Sequence, residues 1–157
     1  MDRKIAALTV AAALMMTGCY RRSPQYGPAR AAQAKPGKEM SMVVISGSFV
    51  VEPRNFKPFR VVVDADMARA CVEGTFSASG ANNDIEVTVL EETQYLNWQN
   101  RHKFDAAYES GRVTAGKLKV ELPLEAATYF VVFSNRFSLI SNKAVTADVK
   151  LQYAYAN

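Results

Sequence analysis

From Met42 onward the apolar residues recur mainly at every second position, the period of a strand with one face buried. Met42 to Val51 alternates imperfectly, with Val43, Ile45, Phe49 and Val51 as inward positions and Gly47 as a possible bulge. Pro53 and Pro58 bracket a loop that contains Phe56, and Phe59, Val61 and Val63 then form a second strand ending at Asp64-Ala65-Asp66. Ala70, Val72, Gly74, Phe76 and Ala78 share one parity against Cys71, Glu73, Thr75, Ser77 and Ser79, so the third strand has one wet face. Turn formers fill Ser79 to Asp84, after which Ile85, Val87 and Val89 alternate with polar residues. Thr93 to Lys103 breaks the rhythm. A short helix capped by Thr93 would set Tyr95, Trp98 and His102 on one face, although Asn97 and Asn100 also suit an irregular loop. Phe104 to Glu109 reads as a weak strand closed by Ser110-Gly111, and Ala115-Gly116 as a turn leading into Leu118, Val120 and Leu122.

The densest apolar run is Thr128 to Phe133, six aromatic or β-branched residues. It is too short for a typical helix and too apolar on both parities for a half-exposed strand, which predicts a central strand covered on both faces. Val145, Ala147, Val149, Leu151 and Tyr153 then alternate with Thr146, Asp148, Lys150 and Gln152 in a half-buried last strand. The fold class is therefore all-β: an antiparallel, jelly-roll-like β-sandwich of seven to nine strands with at most one short helix.

The amino terminus has a different character. Arg3 and Lys4 precede an apolar run from Ile5 to Met16 and then Thr17-Gly18-Cys19. A basic start, a short apolar stretch and small residues at the cut make a secretory signal too short to span a bilayer comfortably. Met16-Thr17-Gly18-Cys19 resembles a bacterial lipobox, with Met16 in place of the commoner leucine. The resemblance implies cleavage before Cys19 and acylation of that residue, giving a lipid-anchored protein of the bacterial cell envelope. Tyr20 stands where proteins retained in the inner membrane carry Asp, so outer-membrane sorting is expected. Residues 19–40 combine prolines, glycines and alanines with Arg21, Arg22, Arg30, Lys35 and Lys38 against Glu39 alone, and read as a flexible basic tether. As a coil it would place the domain on the order of 25 Å from the anchor.

The charge balance changes accordingly. The chain is +4 overall, but from Ser41 onward it is nearly neutral, so the basic excess lies in residues 1–40. That excess suits anionic headgroups and argues against nucleic acid. With Cys19 acylated, only Cys71 remains, so no internal disulfide is expected; Cys71 is either buried and inert or paired between molecules.

Phe133-Ser134-Asn135, Phe137-Ser138 and Lys143 with Val145 resemble the C-terminal signature of the GOLD domain, the β-sandwich of Golgi-dynamics and early-secretory cargo-receptor proteins. Asp84-Ile85-Glu86-Val87 is similar to that domain's acidic-aliphatic central strand, and the resemblance covers roughly residues 41–153. Val132 stands where the receptors carry a disulfide cysteine, Ala127 where a glycine often precedes the Thr-Tyr pair, and no coiled coil or membrane span follows Tyr153. The resemblance implies a domain that contacts a protein or lipid, with Asn135, Arg136, Phe137, Ser138 and Lys143 as the candidate partner-binding residues. Arg136 itself reads more readily as a solvated surface arginine.

Candidate chemistry is sparse. His102 lies between Arg101 and Lys103 in a polar segment with no serine or cysteine motif around it, so nucleophilic catalysis has no support and the chain is expected not to be an enzyme. One histidine and one domain cysteine do not make a zinc site, and no cofactor is expected. Asp64, Asp66, Asp84 and Glu86 lie at strand ends, where oxygen ligands from two loops would suit calcium, or ordinary turns. Those residues define the alternative function, a calcium-dependent carbohydrate binder or an envelope hydrolase. Phe56, Tyr95 and Trp98 form either an aromatic platform for a sugar or partner, or a cover over the open end of the sandwich.

Overall fold

The computed structural model describes residues 37–123 and 126–155. The expected signal sequence, Cys19 and most of the expected tether lie outside the described residues. The described residues form eight strands and one helix: β1 (Glu39–Val51), β2 (Phe56–Val63), β3 (Met67–Ser79), β4 (Ile85–Glu91), α1 (Glu92–Gln99), β5 (Tyr108–Val113), β6 (Ala115–Glu121), β7 (Ala127–Ser134) and β8 (Lys143–Tyr155). Two four-stranded antiparallel sheets run in the orders β1-β8-β3-β6 and β2-β7-β4-β5. Successive strands cross between the sheets except β4 and β5, which pair within the second, a jelly-roll order, so the sandwich expected from the alternation is the fold observed.

Between the sheets lie the inward parities. Val72, Phe76, Leu118, Val145, Val149 and Leu151 of the first sheet face Val61, Ile85, Val87, Val89, Val131 and Phe133 of the second, all almost fully buried. Phe133 is the hub. Its ring meets Phe49, Phe59 and Phe76 edge-on or tilted, at centroid distances of 5.1, 5.9 and 5.9 Å, the geometry aromatic quadrupoles favour. Gly74 permits close packing within the first sheet: a Cβ there would collide with the backbone of Asp148 and Val149 on β8.

β7 is covered on both faces, as its composition predicts. Tyr129, Val131 and Phe133 face the core, while Val132 is also fully buried and lies on the opposite parity. The cover on that outer face is α1, which packs against β4 and β7.

Local details differ from the alternation. Val43 is exposed because a register shift between Val43 and Ile45 inserts an extra residue and reverses the parity of β1, whereas Gly47 pairs in register with Ala147. β1 begins at Glu39, so the last two residues assigned to the tether belong to a strand. Pro58 sits inside β2, opposite Val132; β2 is a sheet edge, where a missing N–H costs least. The helix is capped by Glu91, whose carboxylate accepts from the Thr93 N–H at 2.9 Å, rather than by Thr93 itself. His102 lies beyond the helix and is exposed, and Arg101, with φ of 61°, marks the left-handed exit.

Ser110-Gly111 does not close a strand. Both residues lie within β5, at a register shift against β4, where the Ser110 hydroxyl accepts from the Val87 N–H at 2.8 Å and replaces a ladder bond. Ala115-Gly116 is not a turn either. Thr114 alone separates β5 from β6, because the chain is crossing from one sheet to the other rather than reversing within one.

Because Phe133 contacts aromatic rings from three other strands, truncating it opens a cavity that no one neighbour can fill. Phe133→Ala is expected to lower unfolding free energy by about 4 kcal/mol in urea titration.

Candidate functional site

One end of the sandwich gathers the β1–β2, β3–β4 and β7–β8 loops. The β7–β8 loop, residues 135–142, leaves the central strand through Asn135, which is fully buried. Its Nδ2 donates to the carbonyls of Val51 at 3.1 Å, Glu52 at 3.2 Å and Ser141 at 2.8 Å. Its backbone N–H donates to Asn55 O, and its carbonyl accepts from Arg54 N. A single amide thereby ties the exit of β1 to both ends of the β7–β8 loop. The three carbonyls fix the amide's orientation, since the flipped form would set oxygen against oxygen. Among the described residues Oδ1 has no hydrogen-bond partner, a cost the donor side offsets.

Ser138 continues the same construction. Its hydroxyl donates to Ser141 O at 3.1 Å and accepts from Ser141 N at 3.2 Å, closing a tight turn around Leu139 and Ile140. At the far side of the loop Lys143 is buried, its side chain 2 % exposed. Its ammonium donates to Gly80 O at 3.1 Å and to the Asp84 carboxylate at 2.5 Å. That hydrogen bond holds the Asp84 carboxyl below the usual carboxylate range, against a smaller opposing effect of burial. The pair joins the start of β8 in one sheet to the start of β4 in the other.

Phe137 is half-buried, with the Arg112 guanidinium 4.3 Å from its ring centroid and the Lys143 ammonium at 5.8 Å. Arg112 also pairs with Glu86 at 3.1 Å. Arg136 turns the other way, over the second sheet's outer face. Its guanidinium lies 4.0 Å from the Trp98 ring and 4.4 Å from that of Phe56. It donates to the carbonyls of Trp98 and Gln99, the open C-terminal end of α1, where a cation is favoured. Burial and the charge of Arg101 lower its pKa, yet it remains a cation at neutral pH.

The aromatic residues extend this arrangement. Phe56 meets Trp98 edge-on at 4.9 Å, and Tyr95 stacks on Phe130 at 4.2 Å, so the rings hold α1 against the sheet's outer face. Tyr95 is buried enough that its hydroxyl pKa rises. Of the candidate partner-binding residues, Asn135, Ser138 and Lys143 are thus engaged in bonds that shape the loop, while Arg136 and Phe137 remain partly exposed.

The four acidic candidates separate. Asp64 and Asp66 lie in the β2–β3 turn and Asp84 and Glu86 beyond the other end of β3, a 13-residue strand and so about 40 Å away. Among the described residues no three His, Cys, Asp or Glu side chains come together in a way that would hold a metal ion. Cys71 is half-buried on the first sheet's outer side, and desolvation with Glu73 nearby raises its thiol pKa, keeping it protonated at neutral pH. A shallow groove of about 640 Å³ crosses the same sheet, lined by Thr75, Ser77, Lys117, Thr146 and Asp148.

Sequence reasoning passed over Leu139 and Ile140, which are 67 % and 89 % exposed at the apex of the β7–β8 loop. The signal was two branched aliphatic residues between Ser138 and Ser141-Asn142, inside a turn rather than a strand.

No protein-family model and no curated protein matches the chain. Among the described residues, no helix is long and apolar enough to cross a membrane.

The Lys143–Asp84 pair yields a pH test. A carboxyl whose folded pKa is depressed adds stability that is present above its unfolded value, about pH 4, and is lost as pH falls through the lower folded value. Asp84→Asn is expected to cost about 3 kcal/mol at neutral pH by leaving the buried ammonium without its carboxylate. It should also flatten the loss of stability below about pH 4, read by denaturant titration across pH.

Proposed function

We propose that this chain is a non-catalytic, lipid-anchored component of a bacterial cell envelope, whose GOLD-like sandwich contacts a protein or lipid partner. The observation that carries the reading is the Met16-Thr17-Gly18-Cys19 sequence ahead of a basic, proline- and glycine-containing segment and a folded β-sandwich. In that arrangement acyl chains on Cys19 hold the domain at a membrane surface, with outer-membrane sorting following from Tyr20.

The use made of the charged groups supports a contact role over a catalytic one. Asp84 is taken by Lys143, Glu86 by Arg112, and Arg136 by the end of α1. Each is committed to holding strands, loops or helix in place, and a catalytic acid or base needs a group free to face a substrate. The calcium reading has less to support it: Asp84 would have to exchange its buried ammonium for the ion, and its companions Asp64 and Asp66 are at the opposite end of β3.

The GOLD assignment remains part of the proposal. The signature residues Asn135, Ser138 and Lys143 fix the strand exit here, which makes them architecture that such a domain needs rather than the contact surface itself.

The test is acylation. Cells fed an alkyne-tagged fatty acid should label the mature protein, and Cys19→Ser should abolish the label and release the chain from the membrane fraction. Equal labelling and equal membrane retention in Cys19→Ser would refute the anchored reading.

A further inference from the structure

We infer that the apex of the β7–β8 loop, Leu139 and Ile140 with the arginines around it, docks on an anionic lipid surface. The inference deepens the contact role proposed above and rests on it. Its starting point is a contrast within eight residues. The loop is fixed at both ends by Asn135 and across its middle by the Ser138–Ser141 turn, yet it holds its two largest aliphatic side chains out into solvent. An ordered loop that presents adjacent Leu and Ile side chains pays hydration cost without any packing gain inside the domain.

The surroundings are net positive, with Arg54, Arg101 and Arg136 beyond the two ion pairs Lys143–Asp84 and Arg112–Glu86. Arg54 donates its backbone N–H to Ser138 O at 3.0 Å and has an exposed side chain with no ion-pair partner among the described residues. Arg136 belongs to the loop itself, with its guanidinium over Trp98 and bonded to the end of α1, Arg101 follows that helix end and is exposed, and Arg112 covers Phe137 while paired with Glu86. The acids at this end are mostly spent: Asp84 on Lys143 and Glu86 on Arg112, leaving Glu52. The opposite end is acidic, with Asp64, Glu91 and Glu92 lining one shallow surface. Within the folded domain, a negatively charged plane would therefore favour the loop end over the other.

Two exposed aliphatic side chains at the loop apex make a small apolar area that an acyl layer accepts, and the positive balance around them favours an anionic lipid surface. Guanidinium groups set behind such an apex meet phosphates at headgroup depth. The described chain starts at the acidic end, where Glu39 pairs with Ala154 near the end of β8. The 19 residues between Cys19 and Glu39 can extend to at most about 65 Å, more than the length of β1, so the tip can reach the anchoring membrane as well as another one.

The experiment uses the full chain carrying Cys19→Ser, with and without Leu139→Asp and Ile140→Asp. Each is mixed with vesicles of phosphatidylcholine alone or of phosphatidylcholine with phosphatidylglycerol. Binding is read by sedimentation and by energy transfer from Trp98, the chain's one tryptophan, to a dansyl lipid. The parent is expected to bind the anionic vesicles at least about tenfold more tightly than the double variant, and to lose that binding on neutral vesicles or at high salt. Equal binding by parent and double variant overturns the inference, as does equal binding to neutral vesicles. Photo-crosslinking from position 139 in envelopes separates the two failures. A specific protein captured without vesicle binding refutes the lipid surface and leaves the contact role standing, while neither signal refutes both.

Discussion

The loop end of this sandwich depends on one buried amide. Two antiparallel sheets can be packed face to face by their side chains alone, but the chain ends that pass between them leave backbone carbonyls with no ladder partner. Asn135 satisfies three of these at once, from Val51, Glu52 and Ser141, and so joins the exit of β1 to the whole β7–β8 connection. Lys143 does the equivalent at the start of β8, reaching Gly80 and Asp84 across to the other sheet. Both are polar groups whose burial would be costly without partners, so the strand exit adopts the one geometry that supplies them.

This division explains why Leu139 and Ile140 are held outward. With Asn135, Ser138, Ser141 and Lys143 bonded as they are, the loop holds Leu139 and Ile140 at its apex with their side chains in solvent. The arginines beside it are held by separate contacts: Arg54 through its backbone, Arg136 by the carbonyls of α1, and Arg112 by Glu86 and the Phe137 ring.

Much of the fold was legible because strand periodicity is a local property. The central strand read from Thr128 to Phe133, half-buried only at Thr128 and Phe130, and the alternation from Val145 to Leu151 needed no tertiary information. The misread segments are those where a distant partner decides. Val43 follows its alternation outward only because β8 forces an extra residue into β1, and Gly111 stays in a strand because Ser110 replaces a ladder bond to Val87. Pro58 looked like a loop residue and proved tolerable at a sheet edge. The site was legible in place but not in role: the residues from Asn135 to Lys143 do gather at one end, yet which of them face solvent is set by contacts from β1, β3 and β4. Nothing in the local pattern distinguishes the buried ammonium of Lys143 from a surface lysine, or the exposed Ile140 from a core residue.

The central claim is that the bonded half of the loop carries stability and the apolar apex carries none. Urea unfolding of Asn135→Ala beside the Leu139→Asp, Ile140→Asp double variant measures the two halves separately. The account requires a loss of about 3 kcal/mol for the first, from carbonyls left buried and unpaired, and a change within about 0.5 kcal/mol for the second. A stable Asn135→Ala protein, or a double variant as damaged as it, would contradict the account.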